Sequence, residues 1–147
     1  MFTKKILIFL LLLLIGCADG KHPELKGSFD VIQSVSFPMS ALSDQEVAAF
    51  VGKRVVINDG QAVFNGDTCI ITKIQYDTLT TKEYLGQIQN EIEEKIQVKM
   101  PLKLIGMSLY CNGKFWEKFP NHFLYVNSKI YLSVSEGVVF ILKRNNQ

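Results

Sequence analysis

Three cysteines and two histidines are the residues of this chain best suited to chemistry, and their spacing limits what they can do. Cys69 and Cys111 do not form a C-x-x-C pair, and His22 and His122 lie near neither of them in sequence, so a zinc site is not indicated. The chain has no G-x-S-x-G, H-E-x-x-H, P-loop or dinucleotide fingerprint. One histidine, His122, falls in the predicted domain, where we expect it to cap a turn. We therefore predict a protein that is not an enzyme, with no catalytic residue, metal or cofactor.

The third cysteine, Cys17, ends an apolar segment at the start of the chain. Lys4 and Lys5 precede an unbroken apolar run over 6–15, and a glycine and Cys17 follow it. This pattern predicts an export signal, because the run is too short for a spanning helix, which needs about 20 residues. Residues 14–17 (Leu-Ile-Gly-Cys) resemble the lipobox of bacterial lipoproteins. That resemblance implies a diacylglycerol on the Cys17 sulfur and cleavage that makes Cys17 the first residue, after a signal peptide of residues 1–16.

The residue after the cysteine bears on the compartment. In lipoproteins of this kind an Asp at this position tends to hold the protein on the inner membrane, so Ala18 implies the outer one. Several acyl chains on one cysteine give stable anchoring. We expect a protein of the bacterial cell envelope, lipid-anchored and facing the periplasm. The alternative is an ordinary signal peptide cleaved after Ala18, which would discard Cys17 and release a soluble periplasmic protein.

Removal of the signal changes the charge of the protein. Lys4 and Lys5 leave with it, so the 16 basic residues fall to 14, which equals the number of acidic residues. The mature chain is therefore neutral and has no basic stripe of the kind that binds nucleic acid. The 131 residues left of the 147 suffice for one domain. We predict a lipidated tether over 17–27, which is polar with Gly and Pro, and a single β-rich domain over 28–147.

The other two cysteines are predicted to form a disulfide. Export places Cys69 and Cys111 in an oxidising compartment, where such a pair is typically oxidised. Their separation of 42 residues closes a long loop, and chain entropy assigns this bond about 4 kcal/mol of stabilisation.

Turn dipeptides and alternating apolar residues predict a β-rich domain. The first strand is expected over 29–36 and the last over 138–143. Between them, Asp59-Gly60, Asn112-Gly113 and Asn127-Ser128 mark tight turns of hairpins. The hairpins indicate an α+β, mainly β fold with about eight strands, arranged as an antiparallel meander or a small, partly closed barrel.

Two helices interrupt the strands. Ser43 and Glu46 form a capping-box pattern at the start of a short helix over 46–51, which Gly52 ends. A second, amphipathic helix is predicted over 80–97 from apolar residues recurring at three and four positions, namely Leu85, Ile88, Ile92 and Ile96.

The segment richest in aromatic residues supplies the candidate partner-binding residues. If 114–119 is a strand, Phe115 and Phe119 share one face, and Trp116 and Lys118 share the other. With the two phenylalanines in the core, Trp116 and Lys118 would be exposed and could bind a partner. The alternative is that Trp116 also belongs to the core, beneath the helices.

Short pieces across residues 29–143 resemble an uncharacterised group of small secreted bacterial proteins. These pieces are residues 41–46, 52–55 and 62–64, Cys69, and the ending Gly-Val-Val-Phe at 137–140. The resemblance implies a β-domain with a C-terminal meander and does not point to any particular activity. Lipocalins, distantly similar in general shape, open with Gly-x-Trp, whereas residues 27–29 read Gly-Ser-Phe. The absent tryptophan favours a barrel filled by side chains over a ligand-filled calyx.

Two classes of function fit these features. The first is a non-catalytic binding or inhibitory module of the envelope, with a protein partner there. The second is a carrier or sensor of a small apolar ligand, which requires an internal cavity of roughly 300 Å³ or more.

Overall fold

The computed structural model describes residues 22–145, so Cys17 and the predicted signal peptide lie outside the described residues. Within this range nine antiparallel strands form one sheet in the order β4-β3-β2-β1-β9-β8-β7-β5-β6, and a further pairing of β4 with β5 makes the sheet ring-like. The strands are β1 Gly27–Ser36, β2 Arg54–Asn58, β3 Gln61–Phe64, β4 Asp67–Thr80, β5 Lys103–Cys111, β6 Lys114–Phe115, β7 His122–Tyr125, β8 Ile130–Ser135 and β9 Val138–Arg144. The predicted mainly β, antiparallel architecture is confirmed.

Tight turns join the strands where the dipeptides predict them. Asn112 and Gly113 both have positive φ, 51° and 78°, as a two-residue hairpin turn of the type I′ geometry requires. Asn127 stabilises its turn differently, since its side-chain oxygen accepts hydrogen bonds from the backbone N–H groups of Lys129 and Ile130, both at 2.9 Å.

Helices occupy the two predicted segments. Helix α1 spans Asp44–Phe50 and has the full capping box between Ser43 and Glu46. The second segment is divided into α2 Thr81–Leu85, a 3₁₀ turn Gly86–Ile88 and α3 Gln89–Ile96. Gly86 divides it, because its φ of +52° is incompatible with a continuous right-handed helix. Among residues 22–145 no helix combines the length and the apolar character needed to cross a membrane.

Aromatic side chains fill the inside of the ring. Phe119 lies at the centre of this inner core, with its ring centroid 4.7 Å from that of Phe140, 4.8 Å from that of Phe50 and 5.2 Å from that of Phe64. Phe29 continues the cluster through fully buried rings of Phe123 and Tyr131. Helix α1 contributes its partly buried side chains, Val47 and Phe50, to this core.

A second, outer core lies between the sheet and the second helical segment. Leu85, Ile88 and Ile92 are buried there against strand residues of the opposite parity to the inner core, including Val139 and Ile141 of β9. Strand β9 is therefore covered on both faces, which explains its continuous apolar run over 138–142.

The disulfide joins β4 to β5. The Sγ atoms of Cys69 and Cys111 are at bonding distance and their Cα atoms are 5.3 Å apart, within the range for a disulfide. Cys69 is buried in the inner core. The predicted pairing is thus present in the structure, at the point where β4 stops pairing with β3 and begins to pair with β5.

Strand β1 begins at Gly27 and carries a bulge at Ile32, where the register with β9 shifts between Val31 and Gln33. The fold also includes residues just before this strand. Leu25 is buried in the inner core, and the hydroxyl of Tyr131 donates to the carbonyl oxygen of Glu24 at 3.3 Å. The last residues of the segment predicted as tether, 17–27, therefore pack against the domain.

Candidate functional site

The outer face of β4, β5 and their neighbours is left uncovered by the second helical segment over part of its length. Alternate residues of β5, Met107 and Leu109, point into the inner core, so the residues between them point outward. Cross-strand pairing places the outward residues in rows. We call this surface the open outer face and define it by Lys73, Gln75, Asp77, Gly106, Ser108, Tyr110, Phe115 and His122.

One end of the open outer face is aromatic and basic. Phe115 is 44% exposed, and its ring meets that of Tyr110 edge-on with centroids 5.9 Å apart. The Nζ of Lys73 lies 5.2 Å from the centroid of the Tyr110 ring, on its other side. Exposed aromatic rings beside a cation are typical of surfaces that contact another protein.

The other end is polar and partly buried. The Nδ1 of His122 lies 2.8 Å from the Oγ of Ser108, its cross-strand neighbour. The Nε2 is buried and has no hydrogen-bond partner among residues 22–145. Burial lowers the pKa of His122 below its ordinary value, although the Asp77 carboxylate opposes this effect. His122 is thus held neutral in a cross-strand contact, and the expectation that it caps a turn is wrong, since it begins β7.

Gly106 provides the space that this polar end needs. A Cβ at this position would overlap the Asp77 carboxylate and lie 2.9 Å from Cε1 of His122. Tyr84 of α2 is close enough to Asp77 for the carboxylate to raise the pKa of its phenol, after the larger effect of burial. The Asp77 carboxylate and the His122 ring therefore both lie over the backbone of Gly106.

Serine, histidine and aspartate meet here without the connections of a hydrolytic relay. In such a relay the carboxylate bonds one ring nitrogen and the serine bonds the other. In the part of the chain that the structure describes, no hydrogen bond joins Asp77 to either ring nitrogen of His122, and Cε1 is the ring atom beside the carboxylate over Gly106. The same residues contain no group of three or more His, Cys, Asp or Glu side chains that could hold a metal ion.

Trp116 does not have the exposed position predicted for a partner-binding residue. It is 7% exposed and packs in the inner core, whereas Phe115, predicted to be core, faces solvent. The predicted strand over 114–119 ends at Phe115 after two residues. The alternation of side chains between the two faces of a strand therefore does not apply after Phe115. Phe119 also packs in the inner core.

Lys118 lies apart from Trp116, at the surface. Its Nζ is 2.7 Å from Oδ1 of Asp67 at the start of β4, and both side chains are substantially exposed. The structure thus does not bring the two predicted residues into one site.

The contact residues that the sequence analysis missed are on β4 and β5. One signal for them was present, because Gly106 lies within an otherwise apolar strand, where glycine often marks a close approach of other groups.

Cys17, the predicted lipidation site, is outside the described residues, and its role stays a prediction. Comparisons of the chain with protein-family models, with curated proteins and with solved structures gave no match.

Proposed function

We propose that this protein is a lipid-anchored lipoprotein of the bacterial envelope that faces the periplasm and acts as a non-catalytic binding or inhibitory module. The observation that carries the proposal is the aromatic end of the open outer face. There the exposed ring of Phe115 lies beside Tyr110 and Lys73, at the surface of the domain. Aromatic residues of this kind often dominate the binding free energy of protein interfaces.

The packing of the ring favours a binding module over a carrier. A carrier needs an enclosed apolar space of roughly 300 Å³ or more. Here the inside of the ring holds a continuous cluster of packed aromatic side chains, comprising Phe29, Phe50, Phe64, Phe119, Phe123, Tyr131 and Phe140. A ligand would have to displace this cluster, so the outer surface is the better candidate for recognition.

The anchor is tested by the mass of the mature protein. We expect an N-terminal Cys17 carrying acyl chains, and incorporation of labelled palmitate that Cys17→Ser abolishes. Met39→Ala is the control, because it changes an exposed side chain of the domain and leaves both the lipobox and the disulfide intact. A mature N-terminus at Asp19, or an unmodified Cys17, would contradict the anchor and favour a soluble periplasmic protein.

The partner-binding surface is tested by recovery of envelope proteins with the acylated chain. Phe115→Ala should reduce recovery of the specific partner at least about fivefold, since an anchor residue of an interface contributes more than 1 kcal/mol. Ile32→Ala is the matched control, because Ile32 is 38% exposed and lies on β1, on a different part of the ring. Equal recovery of every protein by both variants would refute the role of the open outer face.

A further inference from the structure

The segment that leads to the predicted lipid enters the domain at one end of the ring, where β1 begins. Because every neighbouring pair of strands is antiparallel, the start of one strand lies beside the end of the next. Thr80 at the end of β4 pairs with Lys103 at the start of β5. The backbone N–H of Arg144 donates to the carbonyl of Lys129 at 2.7 Å, and Arg144 pairs with Phe29 of β1. We call this end the tether rim and define it by Lys26, Lys82, Leu102, Lys103, Lys129 and Arg144.

Five cations at the tether rim outnumber the three carboxylates near them, which are those of Glu24, Asp59 and Glu83. Lys26 pairs with Asp59 at 2.7 Å, and the Arg144 guanidinium donates to backbone carbonyls of Glu24 and Lys26. Within residues 22–145 no carboxylate lies at salt-bridge distance from the other three cations, which are Lys82, Lys103 and Lys129. Lys26, Lys129 and Arg144 line one open cleft of about 640 Å³, together with Ser128, Asn145 and Glu24.

Leu102 adds an apolar group among these cations. It is 90% exposed, and it lines a second cleft together with Lys82 and Lys103. A protruding apolar side chain flanked by lysines is typical of surfaces that lie at the membrane interface, where the cations meet phosphates and the apolar group enters the acyl boundary.

The length of the tether determines how far this rim can be from the lipid. The His22 ring stacks on that of Tyr76 with centroids 4.2 Å apart, and Leu25 is buried, so the part of the chain held by the domain begins at His22. Four residues lie between Cys17 and His22, and this stretch of chain can span at most about 18 Å. A lipid on Cys17 therefore keeps the tether rim close to the bilayer.

The opposite end of the ring has a different charge. Four carboxylates lie there, those of Asp44 and Glu46 in α1, Asp67 at the start of β4 and Glu136 in the β8–β9 turn. They outnumber two cations, Lys53, which precedes β2, and Lys118, which pairs with Asp67. Electrostatic attraction to an anionic surface thus favours one orientation of the domain.

We propose that the tether rim docks on an anionic phospholipid surface. In this arrangement Lys103, Lys129 and Arg144 contact lipid phosphates, Leu102 enters the interface, and the open outer face stays accessible from the periplasm. This inference rests on the proposed lipid anchor, because the anchor holds the domain near the bilayer and the charge of the tether rim orients it there.

The test uses the acylated protein from envelopes, reconstituted in vesicles of phosphatidylcholine with phosphatidylglycerol. An environment-sensitive fluorophore is attached through Leu102→Cys or, as the matched control, through Met39→Cys. Met39 is 91% exposed and contacts Gly137 at the opposite end of the ring. Quenchers carried on the lipids should act at least about fivefold more on the label at position 102. Removal of phosphatidylglycerol, or Lys103→Glu with Lys129→Glu, should reduce the difference at least about twofold, whereas Lys73→Glu with Lys114→Glu should preserve it, and an unchanged difference without phosphatidylglycerol would overturn docking.

Failure of the inference is distinguishable from failure of the anchor. Intact mass is measured on each preparation before reconstitution. An acylated protein whose two labels are quenched equally would overturn docking and leave the anchor standing. A protein without acyl chains that stays in solution when vesicles are floated would overturn both.

Discussion

His122 shows how a histidine is placed when its neighbours provide only partial compensation for burial. Ser108 engages Nδ1 at 2.8 Å, Nε2 is buried without a partner among the described residues, and Asp77 is close without bonding the ring. Desolvation of a charged imidazole is unfavourable, and one nearby carboxylate does not fully offset it. The neutral ring is therefore the stable form in the folded protein.

We predict that stability falls on acidification because of His122. Its folded pKa lies below the unfolded value of about 6.5, so the unfolded state binds more protons at acidic pH. The contribution is complete above about pH 6.5 and is lost as the pH falls toward the folded pKa. Urea unfolding midpoints from pH 7 to pH 5 should decrease less in His122→Gln than in the wild type, and parallel profiles would contradict this assignment.

We predict that Gly106→Ala destabilises the domain by about 1–3 kcal/mol, as overpacking does elsewhere. The new methyl group would overlap the Asp77 carboxylate. Asp77→Ala in the same chain should recover part of the loss, with a coupling of at least about 0.5 kcal/mol, whereas Asp77→Ala alone should have little effect because Asp77 is exposed. Additive effects in denaturant unfolding would show that the overlap is relieved in another way.

At the scale of elements, local signals predicted the hairpins and helix starts, and long-range packing decided the rest. Asn112-Gly113 and the Ser43–Glu46 capping box carry their geometry in adjacent residues, and both are present. The alternation of apolar residues along a strand predicted less reliably which core each side chain enters. Val35 has the same parity as Phe29 and Val31, yet it belongs to the outer core because a bulge intervenes. The sequence around Ile32 contains no pattern that predicts this bulge.

The candidate site was harder to predict than the fold, because its rows come from strands distant in sequence. Gln75, Ser108 and His122 lie side by side only through the pairing of β4 with β5 and of β5 with β7. The prediction for Trp116 failed for a related reason, since the strand that would have exposed it ends one residue earlier.

We predict that loss of the disulfide removes about 4 kcal/mol from the free energy of unfolding. The bond links β4 to β5 at the closure of the ring, across a separation of 42 residues. Cys69→Ala with Cys111→Ala should lower the urea midpoint by an amount matching reduction of the wild-type protein with dithiothreitol. A change below about 1 kcal/mol would indicate that residual structure already constrains the unfolded chain.

At the scale of the whole molecule, two cores share their strands. Phe140 faces the inner core, and its neighbours Val139 and Ile141 face the outer one. Disruption of either core therefore affects the same backbone, and the domain is expected to unfold as one unit.

We predict that Leu85→Ala destabilises the domain by about 2–5 kcal/mol. The inner and outer cores should still unfold in a single transition. Leu85 is fully buried in the outer core, whereas Trp116, the one tryptophan of the chain, reports on the inner core. Tryptophan fluorescence and far-ultraviolet circular dichroism should give coincident midpoints, both shifted. Met39→Ala, at an exposed position, should shift neither, and earlier loss of the helical signal alone would show that the cores are independent.

The bulge in β1 also has a consequence for changes in chain length. Val31 pairs with Leu142 and Gln33 pairs with Ile141, so Ile32 is one residue more than the ladder uses. Deletion of one residue from a strand normally turns every later side chain to the wrong face. Deletion of Ile32 should instead leave the phase of residues 33–36 intact, whereas deletion of Ser34 should not. Position 32 of β1 is thus a strand position at which loss of a single codon is expected to be tolerated.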